Sequence, residues 1–291
     1  MFKGVMTAII TPFSDGRVDE DALRKLIDWQ IAEGVDAIVP CGTTGESVTL
    51  QYEEYDRVVR IAVEQAAGRV PVIAGAGSNS TSNAINLAKQ AKEARADAML
   101  QVTPYYNKPT QEGLYQHFKA IAEMVELPML LYNVPGRTSV NMLPETVARL
   151  AKIDSIVGIK EACGNMDQVR EILRSTPKEF ALLSGEDAQN FEIYKAGGAG
   201  AISVASNVAP KQIAAVWDSF EAGRVDEAKG KQRELQALNE AMFIETNPIP
   251  AKTALAMMGR CREEFRLPLT PMGEEHRTEL RDVLRKYGVI E

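Results

Sequence analysis

Eight short apolar segments recur along the chain, and segments with helical periodicity separate them. The apolar segments are continuous rather than alternating, which is typical of parallel strands that are covered on both faces. They lie at residues 5–10, 37–39, 70–74, 98–102, 129–132, 156–159, 181–183 and 201–204. Eight strand and helix units within ~220 residues favour a (β/α)8 barrel over an open doubly wound sheet, which usually has fewer strands.

The intervening segments carry helix signals. Between the first two strands, Asp19 is placed to cap a helix whose apolar residues recur at three- and four-residue intervals, and Gly34 is placed to end it. Two similar patterns follow, and from residue 224 onward only helical patterns remain. We therefore predict an α/β protein with a TIM barrel over residues 1–223 and an appended C-terminal helical region over residues 224–291.

Charge and cysteine content limit the partners. The 291 residues carry a formal net charge of −7 with both signs interspersed, so neither a basic stripe for nucleic acid nor a polybasic run for a membrane is present. No stretch approaches the ~20 apolar residues of a membrane span, and the N-terminus reads as a first strand, not a signal peptide. Three scattered cysteines fit a reducing compartment. We expect a cytoplasmic protein that binds small molecules or copies of itself.

Lys160 closes the sixth apolar segment and is the strongest candidate for chemistry. A lysine at a strand end usually extends its ammonium to solvent. In a barrel, however, functional side chains lie at the carboxyl ends of the strands, and Lys160 would lie there among apolar neighbours. Such surroundings favour the neutral amine, which can attack a carbonyl carbon and form a Schiff base.

Other polar groups are predicted at the same rim. The segment GTTGE at 42–46 forms a turn whose amides and hydroxyls suit a carboxylate, although an ordinary turn would look similar. Tyr132 ends the fifth strand and Arg137 follows in a loop, so a phenol for proton transfer and a guanidinium for a carboxylate are near. His117 and His276 stand alone, and no combination of residues indicates a metal site.

Longer motifs give the chain a family resemblance over nearly its whole length. They are GTTGES at 42–47, VTPYYNKPTQEGLYQHF at 102–118, YNVPGRT at 132–138, GIKEA at 158–162, GAISV at 200–204 and NPIPAK at 247–252. With these motifs the chain resembles the dihydrodipicolinate synthase family of the pyruvate-dependent class I aldolases. The resemblance implies that pyruvate condenses with L-aspartate 4-semialdehyde, in lysine and diaminopimelate biosynthesis, without an added cofactor.

The resemblance also implies roles for individual residues. Lys160 would form the Schiff base with pyruvate, and Thr44 would hold the pyruvate carboxylate. Tyr132, Thr43 and Tyr106 match the proton relay of the family.

Two further positions match substrate-binding residues. Arg137 matches the residue that binds the semialdehyde carboxylate, and the backbone carbonyl of Ile202 would face the Schiff base. In the family the equivalent of Tyr106 reaches a neighbouring subunit, which implies a homo-oligomer, either a homotetramer or a dimer.

Three points stay open at this level. The chain could be another aldolase of the superfamily, such as N-acetylneuraminate lyase or a 2-keto-3-deoxy-sugar acid aldolase, although Arg137 suits an anionic second substrate better than a sugar chain. A catalytically silent barrel is the more distant alternative. Lysine-sensitive members bind L-lysine in a crevice between subunits, where this chain has Tyr52, Tyr55 and Asn83 in place of two histidines and a glutamate. We therefore expect weak inhibition or none.

Overall fold

The computed structural model describes residues 2–291 and contains the predicted barrel. Eight of its strands form one sheet in which every neighbouring pair is parallel, and the other two form a short antiparallel hairpin. In chain order the strands are β1 (Gly4–Thr7), β2 (Phe13–Ser14), β3 (Arg17–Val18), β4 (Ala37–Ile38), β5 (Ile73–Gly75), β6 (Ala98–Val102), β7 (Met129–Asn133), β8 (Ile156–Glu161), β9 (Ala181–Ser184) and β10 (Gly200–Ser203).

The sheet closes on itself. Its strand order is β4-β1-β10-β9-β8-β7-β6-β5. The two end strands are joined by a parallel bridge between Ile38 and Val72, and the Ile38 amide donates to the Pro71 carbonyl at 3.1 Å. Parallel pairing around the whole circle brings all eight carboxyl ends to one rim, where the predicted functional residues are.

Helices surround the barrel and continue beyond it. Those of the barrel region are α1 (Glu20–Ala32), α2 (Tyr52–Ala66), α3 (Thr81–Glu93), α4 (Gln111–Met124), α5 (Pro135–Thr138), α6 (Pro144–Leu150), α7 (Met166–Ser175), α8 (Asn190–Ala196) and α9 (Pro210–Glu221). The C-terminal helices are α10 (Val225–Glu234), α11 (Gln236–Ala241), α12 (Ile249–Met257) and α13 (Glu274–Lys286).

The predicted helix signals act as expected in α1. The Asp19 side chain accepts a hydrogen bond from the Ala22 amide at 3.0 Å, which satisfies a donor that the first helical turn leaves free. Gly34 has a φ of +93°, a left-handed conformation that glycine adopts at little cost, and the chain turns there toward β4. The predicted cap and stop of the first helix are confirmed.

The apolar residues form two clusters with different roles. The larger cluster lies between the strands and the surrounding helices. The smaller one fills the barrel interior and consists of Met6, Ala8, Ala37, Val39, Ile73, Ala98, Leu100, Leu130, Tyr132, Val134, Leu183 and Ile202. Because both faces of each strand are covered, the strands are mostly apolar, as the sequence indicated, and polar residues such as Lys160 and Glu161 lie near their carboxyl ends.

Most strand bounds differ from the predicted segments by a few residues, and the hairpin was not predicted. The first strand is shorter than the segment 5–10, because Ile9 and Ile10 lie in a loop although they are buried. The hairpin of β2 and β3 is only two residues long on each side, too short to show an alternating pattern.

The C-terminal region contacts the barrel through α12 and through the segment that follows this helix. Arg266 donates to both carboxylate oxygens of Glu54 at 2.6 and 2.5 Å, and Lys252 pairs with Glu46. The division of the chain into domains at residues 223 and 224 stays a prediction. Among residues 2–291, no helix combines the length and the apolar character that crossing a membrane requires.

Candidate active site

Lys160 and Tyr132 lie side by side on adjacent strands. Their Cα atoms are register partners in the β7 and β8 pair, so both side chains leave the sheet on the same face. Lys160 Nζ lies 4.4 Å from the centroid of the Tyr132 ring. Lys160 is only 4% exposed and Tyr132 6%, so the amine is withdrawn from bulk solvent beside a phenol. The arrangement places an amine and a possible proton carrier together.

A buried polar network next to this pair holds the carboxyl ends of β7 and β8 together. Glu161 follows Lys160, and its carboxylate accepts hydrogen bonds from Asn133 Nδ2 at 3.0 and 3.1 Å. It also accepts from the Cys163 amide at 2.9 Å. Burial raises the pKa of Glu161, although these hydrogen bonds oppose the shift. The network ties β7 to β8, so it holds the backbone that carries both functional side chains.

The GTTGE loop follows β4, and β4 lies opposite β8, the strand of Lys160, in the circle of strands. Thr43 is half-buried and faces the cleft, while Thr44 is 2% exposed. Thr44 Oγ1 accepts a hydrogen bond from Asn247 Nδ2 at 3.0 Å. The C-terminal region therefore orients the hydroxyl for which the family resemblance implies a role in binding a carboxylate.

The same loop is anchored by a fully buried ion pair. Glu46 has a left-handed φ of +53°, and its carboxylate pairs with Lys252 Nζ on α12. Lys252 Nζ also donates to the Glu264 carbonyl at 3.0 Å and lies 4.3 Å from the centroid of the Phe13 ring. Burial lowers the pKa of the Lys252 ammonium, while the Glu46 charge opposes that shift. A strained loop residue is thus held by a charge from the C-terminal region.

Arg137 reaches the mouth of the cleft from α5. The side chain is exposed, and Nη2 donates to the Asn247 carbonyl at 3.1 Å. The helix is short but well anchored, because Thr138 Oγ1 donates to the Val134 and Val140 carbonyls. That contact does not use the other N–H groups of the guanidinium, which could donate to a carboxylate of a substrate.

The cleft consists of two joined parts. An inner part of about 210 Å³ contains Lys160, Thr44 and Glu186, and an outer part of about 240 Å³ contains Val48 and Tyr105. Residues that line both parts are Gly42, Thr43, Leu100, Tyr132, Val134 and Arg137. The space at Lys160 therefore has the size of a small-molecule site.

Two predicted site residues lie elsewhere. Ile202 is buried in the barrel interior in register with Met6, and it does not line the cleft within the described part of the chain. Tyr106 is 89% exposed, with a φ of +74° that is rare for an aromatic residue. Its side chain lies outside the cleft of its own chain. The structure thus brings together Lys160, Tyr132, Thr43, Thr44 and Arg137, but not the other two.

Two residues of the cleft were missed by the sequence reasoning. Asn247 contacts both Thr44 and Arg137, and its place at the start of the NPIPAK motif was the only signal. Glu186 follows β9 and lines the inner cleft. Its position directly after a barrel strand is a signal in the sequence, of the same kind as the position of Lys160 at the end of β8.

The crevice considered for L-lysine adjoins the outer cleft. It is lined by Ser47, Val48, Leu50, Gln51, Tyr52, Tyr55, Gly75, Gly77, Ser78, Asn83, Leu87 and Tyr105. Glu53 and Glu54 follow Tyr52 in the sequence, and either could supply the charge that the neutral Asn83 lacks. The Glu54 carboxylate is held by Arg266 in a two-point contact, which also lowers the pKa of Glu54.

Within residues 2–291, no group of three or more His, Cys, Asp or Glu residues is placed to hold an ion. The polar side chains that line the inner cleft are an amine, a phenol, two hydroxyls, an amide, a guanidinium and one carboxylate. These groups serve covalent and acid–base chemistry.

A closed parallel barrel with a buried lysine and a phenol at its carboxyl rim has the architecture of a (β/α)8 enzyme. A family model described as the dihydrodipicolinate synthetase family matches residues 1–287. The chain belongs to this family.

Individual relatives match over the full length. A protein of Thermodesulfovibrio yellowstonii named 4-hydroxy-tetrahydrodipicolinate synthase is 56% identical over 290 residues, which cover 100% of both chains. The dihydrodipicolinate synthase of Thermotoga maritima superposes with a TM-score of 0.98 at 46% identity and 100% coverage of both chains. The chloride-inhibited dihydrodipicolinate synthase of Acinetobacter baumannii, solved in complex with pyruvate, gives 0.98 at 47% identity, also with 100% coverage of both.

Proposed function

We propose that the chain condenses pyruvate with L-aspartate 4-semialdehyde to 4-hydroxy-tetrahydrodipicolinate, a step of lysine and diaminopimelate biosynthesis. The relatives named for this product support the reaction. The observation that carries the mechanism is Lys160 Nζ, buried 4.4 Å from the Tyr132 ring in a cleft whose mouth holds Arg137.

The first half of the reaction concerns pyruvate. Lys160 Nζ attacks the ketone carbon, water leaves, and an iminium joins the lysine to pyruvate. The Thr44 hydroxyl, which lines the inner cleft, and the amides of its loop then hold the pyruvate carboxylate. The iminium draws electrons from the methyl group, so a methyl proton can pass to Tyr132 and leave an enamine.

The second half concerns the semialdehyde. The enamine carbon attacks the aldehyde carbon, whose oxygen takes up a proton from the relay of Tyr132, Thr43 and Tyr106. Arg137 pairs with the carboxylate of the semialdehyde through charge-assisted hydrogen bonds. The amino group of the adduct then replaces Lys160 at the iminium carbon, which closes the ring and frees the lysine.

Assembly into a homo-oligomer, a homotetramer or a dimer, is part of the proposal. Val48, which lines the outer cleft, and Tyr106 are 76% and 89% exposed, an unusual degree of exposure for large apolar side chains. A neighbouring copy that covers them would bring a second Tyr106 to the site. We also propose a cytoplasmic location, which three free cysteines support.

A comparison of second substrates tests the reaction. Purified protein is given pyruvate with L-aspartate 4-semialdehyde, and in parallel pyruvate with N-acetylmannosamine. We expect product formation from the semialdehyde and at most trace turnover of the sugar. Preferred use of the sugar would show that the chain is a sugar-acid aldolase instead, and Arg137 would then need another role.

A further inference from the structure

The inner cleft carries charges of both signs. Among its described lining residues, Lys160 and Arg137 are the cations and Glu186 is the one carboxylate. Once Lys160 is bound to pyruvate, Arg137 and Glu186 remain as a free cation and a free anion on one small cavity. Such a pair complements an α-amino acid, which has a carboxylate and an ammonium on the same carbon.

The backbone before Glu186 runs directly past the lysine. A Cβ atom placed on Gly185 would lie 3.0 Å from Lys160 Cε and 2.8 Å from Ala162 Cβ. Glu186 is then fixed by Ser184, whose Oγ accepts from the Glu186 amide at 3.3 Å and donates to its carbonyl at 3.0 Å. The loop is therefore close-packed and holds the Glu186 side chain beside the reacting lysine.

The neighbouring acid serves a different purpose. Asp187 is 2% exposed, and its Oδ2 accepts from the Val204 and Ala205 amides at 2.8 and 2.9 Å. Its Oδ1 accepts from Asn190 at 3.1 Å. Asp187 is thus occupied with holding the loop after β10. Glu186 has no comparable set of protein donors among the described residues.

The surroundings of Glu186 also suit a proton acceptor. Burial raises the pKa of its carboxyl, and the Asp187 charge raises it further, while the Ala188 amide and the Lys160 ammonium oppose the shift. A carboxylate with a raised pKa accepts a proton from an ammonium more readily than an exposed one does.

We propose that Glu186 binds the α-ammonium group of the amino-acid substrate and takes its proton before ring closure. This proposal rests on the function proposed above. The released nitrogen lone pair forms the bond to the iminium carbon, and a proton passes from that nitrogen to Lys160 Nζ. The bond from carbon to Nζ breaks, and its electron pair returns to the lysine. The ring nitrogen then carries the double bond and gives up its remaining proton to solvent.

The test compares Glu186→Gln with Glu186→Asp and with Glu145→Gln, which alters an exposed acid on α6. We expect Glu186→Gln to lower kcat/KM for L-aspartate 4-semialdehyde at least tenfold, with the KM for pyruvate within twofold of the unaltered protein. Glu186→Asp should recover part of the loss and shift the acidic limb of the kcat profile. Glu145→Gln should match the unaltered protein.

Borohydride trapping of pyruvate separates the possible outcomes. Glu186→Gln should still trap pyruvate at the normal level, which shows that the fold and the lysine are intact. Unchanged kcat/KM for the semialdehyde, or equal losses toward both substrates, would overturn the role of Glu186. Failure of the unaltered protein to trap pyruvate would instead overturn the proposed function itself.

Discussion

Lys160 and Tyr132 meet because parallel strands in register place corresponding side chains next to each other. Their Cα atoms are partners between β7 and β8, and the Glu161 and Asn133 network below them holds the two strands together. An amine that must attack a carbonyl carbon gains most from such fixed placement, since orientation supplies a large part of enzymatic rate enhancement.

Arg137 provides the first test at the level of single residues. A charge-assisted hydrogen bond contributes about 1.5–3 kcal/mol, and each 1.4 kcal/mol corresponds to a factor of ten. Arg137→Ala should therefore raise the KM for L-aspartate 4-semialdehyde about 10- to 100-fold and leave the KM for pyruvate nearly unchanged. Steady-state kinetics measure both, and Arg174→Ala, an exposed arginine on α7, is the control. Equal damage toward both substrates would indicate a structural role.

Single functional residues could be predicted from the sequence where they lie at the end of an apolar segment. Lys160 and Tyr132 each close an apolar segment, so the barrel rule was enough to place them on the rim. Glu186 follows β9 by the same rule but was overlooked. Asn247 lies far along the chain, and no local pattern shows that it contacts Thr44, because that contact depends on how the C-terminal region folds back.

At the level of elements, the GTTGE loop depends on α12. Glu46 on the loop and Lys252 on the helix form a pair that is almost completely buried. Removing one partner of such a pair leaves an uncompensated charge in the interior, which costs about 3–5 kcal/mol. The C-terminal region thus acts as part of the active-site structure.

A double-mutant cycle tests this connection. Lys252→Met should lower the midpoint of thermal unfolding strongly because Glu46 loses its partner. Adding Glu46→Gln should recover part of the loss, so the two changes are expected to be non-additive. Lys231→Met, which breaks an exposed pair with Glu227 on α10, should change the midpoint little. Strictly additive losses in the cycle would show that the two charges are not coupled.

The sequence predicted which segments form strands better than it predicted where each strand begins and ends. All eight barrel strands were expected from apolar segments, because a strand covered on both faces is mostly apolar. Their ends were not, since Ile9 and Ile10 are apolar for packing but lie outside β1. Sequence alone does not distinguish a buried loop residue from a strand residue when both are apolar.

At the scale of the whole molecule, the exposed Tyr106 is the feature behind our proposal that one chain does not form a complete site. The side chain points out of its own chain with a strained backbone, and strain of this kind often occurs at functional positions. The sequence could suggest a role across a subunit boundary only through the family resemblance.

Mixed oligomers test whether Tyr106 acts in a neighbouring subunit. Tyr106→Phe and Lys160→Ala proteins should each be nearly inactive. When the two are unfolded or dissociated together and reassembled, some activity should return, because a hybrid interface contains one site with both groups. Subunits of either variant reassembled alone are the control. Hybrids that form, as shown by differently tagged subunits, and remain inactive would exclude the shared site.

Inhibition by L-lysine is a further property that we expect to depend on more than a single site residue. In the crevice beside the outer cleft, Asn83 offers a neutral amide, and Glu54 is already held by Arg266. Desolvating an ammonium without a charged partner costs several kcal/mol. We expect weak inhibition or none in a steady-state titration with L-lysine, and stronger inhibition of Asn83→Glu. Strong saturable inhibition of the unaltered protein at submillimolar L-lysine would contradict this expectation.

Covalent trapping tests the central role of Lys160 most directly. The protein is incubated with pyruvate and borohydride, digested, and its peptides are weighed by mass spectrometry. We expect a reduced pyruvyl group on the peptide that contains Lys160, and none on Lys160→Ala treated in the same way. A label on another lysine, or equal labelling of Lys160→Ala, would contradict the Schiff-base assignment.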